Sequence, residues 1–147
     1  SYFLQTLNDS CKEFKKHNAT SPIIVAFVAE SGPEFSNETH DQISAALHAA
    51  NASLWVVSLS IAEQPNRTPE DHERARVLGG LTGDSGGMTR TVISTQSIDP
   101  AFSTMAAVLS SRYQVTYGRP EQTIPPSTVV VTSKRSDVRL TSSRWPR

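Results

Sequence analysis

Apolar residues along these 147 positions fall into two kinds of pattern: short unbroken runs, and residues spaced three and four apart. The first run is Pro22-Ile23-Ile24-Val25-Ala26-Phe27-Val28-Ala29, closed by Glu30, Ser31 and Gly32. It is rich in β-branched residues and too short for a buried helix, so it reads as a strand covered on both faces in the middle of a parallel sheet. Leu54 to Ile61 makes a second such strand, and Thr91-Val92-Ile93-Ser94 a short third. Between the runs the spacing is helical. Leu4, Leu7, Cys11 and Phe14 mark a helix over about 2–17, with Lys12, Lys15 and Lys16 opposite. Thr39-His40-Asp41-Gln42 has capping-box spacing and opens a helix carrying Ile43, Ala46, Leu47 and Ala50, ending near Asn51. Thr68-Pro69-Glu70-Asp71 is a second helix start, followed by Ala75, Leu78 and Leu81 as inward positions and a stop by Gly83. Asp99-Pro100 starts a last helix with Phe102, Met105, Ala106 and Leu109 at core spacing.

Strands alternating with helices predict βαβ units, hence parallel pairing with right-handed crossovers. The expected fold is α/β: a Rossmann-like, mainly parallel sheet with helices on both faces. Tyr113-Gln114-Val115-Thr116-Tyr117 alternates, and Thr128–Thr132 with Val138–Leu140 reads as a closing C-terminal β-hairpin after a turn with three prolines. No internal repeat or linker divides the chain, so residues 1–147 are expected to form one domain.

Formal charge is balanced, which gives no reason to expect nucleic acid or an acidic membrane surface as partner. The late basic residues Lys134, Arg135, Arg139, Arg144 and Arg147 suit a solvated hairpin. No stretch approaches the ~20 apolar residues of a membrane span, and Ser1-Tyr2-Phe3 opens into a helix with no signal-peptide pattern. Cys11 is the single cysteine, which excludes an internal disulfide and suits a buried small hydrophobe. All five asparagines lie in N-x-S/T triplets, acceptors for glycans only in a eukaryotic secreted setting and frequent by chance in a chain rich in Ser and Thr.

Two stretches invite a chemical reading. Glu30 and Ser31 end the first strand, where open α/β sheets bind ligands. An acid and a hydroxyl there are candidate ligand-binding residues and could hold a hard cation, but no Asp/Ser-rich loop offers the remaining oxygens. Gly83-Asp84-Ser85-Gly86-Gly87 matches the nucleophile loop of chymotrypsin-like proteases, which makes a serine hydrolase using Ser85 the enzymatic alternative. Its surroundings alternate helix and strand instead of forming β-barrels, and His48 lies inside a helix. A glycine-rich exit from a helix is the simpler account. His17, His40, His48 and His72 are scattered, so no metal site is expected from them.

The order of these elements resembles the C-terminal half of a von Willebrand factor A domain, and more closely the Acidobacteria-type VWFA-related group. Its strand of the type V-V-V-L-x-S-D-G is matched by Ile24–Gly32, its T-G-G-like turn by Thr82–Gly87, and its Y-x-L-x-Y by Tyr113–Tyr117. The basic closing hairpin is matched by Val129–Thr132, Val138-Arg139-Leu140 and Arg144-Trp145, so the hairpin region is 113–147. The resemblance implies a non-enzymatic protein-interaction or adhesion module, outside the cytoplasm, meeting a protein ligand through Glu30–Phe35 and Glu63–Arg67. The family's D-x-S-x-S metal motif and N-terminal strands are missing here, and Glu30 or Ser31 stands where an aspartate is expected. No cofactor is therefore expected in this chain, and Mg²⁺ only if an upstream half supplies the D-x-S-x-S loop. Without those strands the 22–32 strand has an open apolar edge, so either the natural chain extends upstream or a partner or second copy is expected to cover it.

Overall fold

A computed structural model of the chain describes residues 1–60, 68–113, 132–137 and 140. Helix α1 spans Phe3–Lys16, strand β1 Ile23–Ala29, α2 His40–Ala50 and β2 Ser53–Leu59. After Thr68 come α3 at Pro69–Arg76, a π-helical turn at Val77–Leu81, and α4 at Thr82–Asp84. Strand β3 covers Met88–Val92, and a 3-10 turn at Thr95–Ser97 leads into α5 at Ile98–Ser110. The three strands form one parallel sheet in the order β1-β2-β3, with Val25 opposite Trp55 and Trp55 opposite Met88. The α/β class and the parallel pairing agree with the expectation from the sequence.

The local signals that start the helices act as local signals should. The Thr39 side chain accepts from Gln42 N while the Gln42 side chain accepts from Thr39 N, and Thr68 and Asp71 make the same reciprocal pair at α3. Helix α2 ends at Asn51 in the left-handed conformation, φ 49°.

The rank of the strands differs from the sequence reading. Among the described residues the Ile23–Ala29 run is an edge strand, and its burial alternates. Strand β2 holds the centre, with all seven residues buried. An unbroken apolar run shows that a strand can be covered on both faces; which neighbours arrive to cover it depends on distant parts of the chain.

β2 divides two cores. On one face Leu54 and Val56 meet Leu4, Leu7 and Cys11 of α1, Ile43 and Leu47 of α2, and Val77, Leu78 and Leu81. On the other, Trp55, Val57 and Leu59 meet Val92, Ala101 and Met105 under α5. Helices thus lie on both faces. Burial raises the Cys11 thiol pKa to about 11, which keeps it protonated as an inert core group. Two inward positions move: Ala75 and Ala106 are exposed, and Val77 and Ala101 are buried instead. Strand β3 starts earlier than Thr91, at Met88. Among the described residues no helix is long and apolar enough to cross a membrane. The C-terminal hairpin at 113–147 falls almost wholly outside the described residues; Tyr113 itself is exposed beyond α5.

The Gly-Asp-Ser-Gly-Gly stretch has a packing role. Gly86 adopts φ 80°, a conformation that side chains rarely tolerate. A Cβ on Gly87 would lie 1.8 Å from the Leu54 carbonyl oxygen. The chain therefore turns tightly against the start of β2 before entering β3. Gly83 has open space around its Cβ position, within α4. Gly87→Ala should cost about 3 kcal/mol, because backbone must yield. Gly83→Ala should stabilise by about 0.5 kcal/mol through helix propensity and loss of unfolded-state freedom. Urea midpoints of the two variants against the parent check both; equal midpoints would contradict the packing.

Candidate functional site

The carboxyl end of β1 runs into a loop whose residues alternate between inside and outside. Glu30 is half-buried; its N–H donates to the Leu59 carbonyl at 2.9 Å, and its carboxyl accepts from the Ser58 hydroxyl at the end of β2. Ser31 beside it is exposed. The structure places the two predicted residues side by side at the expected end of the sheet but gives them different tasks: Glu30 ties β1 to β2, and Ser31 faces solvent.

Further along, Glu34 and Ser36 are buried while Phe35 points out. What draws the alternate residues inward is a polar cluster with α3. Asp71 accepts from Glu34 N at 2.9 Å and from Thr68 N at 3.0 Å. Arg74, 5 % exposed, reaches Asp71 at 3.1 Å, the Gly32 carbonyl at 3.0 Å and the Glu34 carboxyl at 3.7 Å. Glu34 Oε1 accepts from the Ser36 hydroxyl at 2.5 Å, and Ser36 Oγ in turn accepts from Gln5 N at 3.1 Å. That last bond satisfies an orphan donor in the first turn of α1, which has no capping side chain of its own.

These bonds clamp residues 32–36 from both sides. The outward consequence is an aromatic pair: Phe35, 57 % exposed, lies against Tyr2, 60 % exposed, with ring centroids 5.9 Å apart. Phe35 N also donates to the Ser1 carbonyl at 2.7 Å, which fixes the two side chains relative to one another. Two large, half-uncovered rings, Tyr2 at the start of α1 and Phe35 on the pinned loop, thus stand side by side at the surface.

Sequence reasoning placed a ligand-facing surface at Glu30–Phe35 but missed the cluster that holds it. Asp71 was legible only as a helix cap, and Arg74 as one more polar position on α3. No spacing rule connects Glu34 to residues 37 and 40 positions away. The second expected ligand-facing segment, Glu63–Arg67, lies outside the described residues.

Ser85 is buried, and its hydroxyl donates to the Thr82 carbonyl at 2.8 Å while accepting from Leu54 N at 3.0 Å. Leu54 N lies one residue before the β2–β3 ladder begins, so this hydroxyl stands in for the missing strand partner. Among the described residues no three His, Cys, Asp or Glu side chains gather as a metal site.

The Asp71 pKa is lowered. Burial alone would raise it, but the N–H groups of Thr68 and Glu34 and the charge of Arg74 outweigh that. A carboxyl with a depressed folded pKa contributes stability that is complete above its ordinary value, near 4, and lost as pH falls through the lowered one. Unfolding midpoints followed from pH 7 to pH 2 should therefore fall below pH ~4. Asp71→Asn should lower the midpoint at pH 7 and flatten that fall. Arg74→Met should cost about 3–5 kcal/mol, because it leaves two buried carboxyls without their cation. An Asp71→Asn profile parallel to the parent would remove Asp71 from this role.

No family model, no curated protein and no solved structure matches this chain.

Proposed function

We propose that this chain is a non-enzymatic protein-interaction module of the von Willebrand A kind. It meets a protein ligand outside the cytoplasm, at the loop from Glu30 to Phe35. The observation that carries the reading is the exposed Tyr2–Phe35 pair, in which Phe35 is held on a loop that a buried ion-pair cluster pins. Preorganised aromatics lose little freedom on binding, so more of their contact energy appears as affinity. The position agrees with this use: loops at the carboxyl ends of parallel strands are where open α/β sheets receive ligands. Ser31, exposed on the same loop, supplies a hydroxyl for specificity, and Glu30 positions the loop through Ser58.

In this reading Phe35 does the binding and Glu34 the holding, so the two are separable. Phe35→Ser touches no core and should leave the unfolding midpoint unchanged within about 0.5 kcal/mol. It should weaken ligand binding at least tenfold, the loss usual for an aromatic hot spot. Proteins recovered from the host's extracytoplasmic fraction on the immobilised parent would be compared with those on Phe35→Ser and Ser85→Ala. A partner lost with Phe35→Ser and kept with Ser85→Ala is the expected result. Identical recovery on all three would remove the loop from function. Fluorophosphonate labelling that depends on Ser85 would replace the proposal with a serine hydrolase.

A further inference from the structure

The charge of this chain is balanced in total and uneven in place. From Glu30 to Asp41 the acids Glu30, Glu34, Glu38 and Asp41 occur with no lysine or arginine among them. Helix α3 adds Glu70, Asp71 and Glu73, with Arg74 and Arg76 as its cations. The two stretches lie together: Glu34 N donates to Asp71 at 2.9 Å, and His40 N donates to Glu73. Seven carboxyls there stand against two guanidinium groups, so the rest of the chain carries the balancing excess of base.

Both cations are already committed. Arg74 is buried against Asp71 and Glu34, while Arg76 donates to Glu73 at 3.0 Å and lies 3.9 Å from Asp41. Among the described residues Glu30, Glu38 and Glu70 make no ion pair; Lys12 holds Asp9 at 2.8 Å and acts on Glu38 only through its field. Beneath Phe35 two carboxyls share one guanidinium, and Glu34 Oε2 is buried without a hydrogen-bond partner. The starts of α1, α2 and α3 lie at this end, and each dipole brings about half a positive charge, which offsets only part of the excess. Among the described residues no three acids gather to hold a metal ion. The negative potential is therefore spread over the end of the molecule that carries Tyr2 and Phe35.

An aromatic face among dispersed carboxylates suits an organic cation. The ring attracts a positive group placed over its face, and the surrounding acids draw that group in from a distance. Nucleic acid and anionic lipid are repelled by the same field. Arginine fits better than lysine, because its planar guanidinium stacks on a ring and is more weakly hydrated. The rival occupant is the chain's own basic tail. Of that tail, Lys134 and Arg135 are exposed and Arg135 is paired with Asp137; Arg139, Arg144 and Arg147 lie outside the described residues.

We infer that the protein bound at the Glu30–Phe35 loop presents an arginine-containing basic segment, with one guanidinium stacked on the Tyr2–Phe35 pair and others drawn to Glu38 and the neighbouring carboxylates. This rests on the loop being the binding surface and adds the chemistry of its partner.

The test uses the full chain and three labelled peptides of equal length, which alternate glycine with arginine, lysine or glutamate. Fluorescence anisotropy follows binding at about 20 mM and about 150 mM salt. The arginine peptide should bind about threefold more tightly than the lysine peptide, and the glutamate peptide should not bind. Phe35→Ser should remove most of the arginine advantage. Glu38→Lys should weaken both basic peptides at least about threefold, with the larger effect at the lower salt. Equal binding of the arginine and glutamate peptides, or an arginine advantage untouched by Phe35→Ser, would overturn the inference. Arg139, Arg144 and Arg147 exchanged together for serine form the last arm. Unchanged binding supports an outside partner, whereas a gain of about tenfold would assign the surface to the chain's own tail and overturn the inference. An arginine peptide that fails to bind, while partner capture still depends on Phe35, refutes the basic partner and leaves the binding loop standing. Capture that ignores Phe35 refutes the loop itself.

Discussion

A strand with parallel partners on both sides has no edge through which to reach water, and its side chains alternate above and below the sheet. β2 is such a strand, and every one of its residues is buried. Both faces must then be roofed, and both its neighbours must arrive in register. Leu54 and Val56 call for the layer made by α1, α2 and the π turn, while Trp55, Val57 and Leu59 call for α5. The tight turn at Gly86-Gly87 answers the same demand, because β3 can start beside Trp55 only if the chain first passes against Leu54.

That dependence explains what could and could not be read from the residues. Helix starts at Thr39 and Thr68 were legible because each cap is complete within four residues. Apolar runs showed where strands lie, yet β1 and β2 carry nearly the same kind of run, and only their neighbours make one an edge and the other the centre. A sequence can state that Val25 tolerates burial; it cannot state that nothing among the described residues buries it. The shift of β3 toward Met88 has a similar origin, since Met88, Thr89 and Arg90 are recruited by the ladder and not by their own pattern.

The candidate site was legible in its position and not in its construction. Glu30 and Ser31 end an apolar strand, which is a local fact. The inward turn of Glu34 rests on Asp71 and Arg74, and the outward turn of Phe35 follows from it. The protease-like glycine motif is ambiguous in a different way: residue types that suit an oxyanion site also suit a tight turn against a backbone carbonyl. Ser85 is buried in that turn with two hydrogen bonds, and neither fact is visible in five letters.

The clamp on residues 32–36 has a further effect on how the molecule opens. The first turn of α1 is capped by Ser36, and the first turn of α2 receives a bond from Glu73 of α3, which accepts from His40 N at 2.5 Å. The start of α1 has no capping side chain of its own, and the start of α2 adds this distant bond to its local capping box. The loop, the starts of α1 and α2, and the first turns of α3 therefore belong to one cooperative unit. When it opens, helix ends far apart in the sequence fray together, although helix termini ordinarily fray one by one.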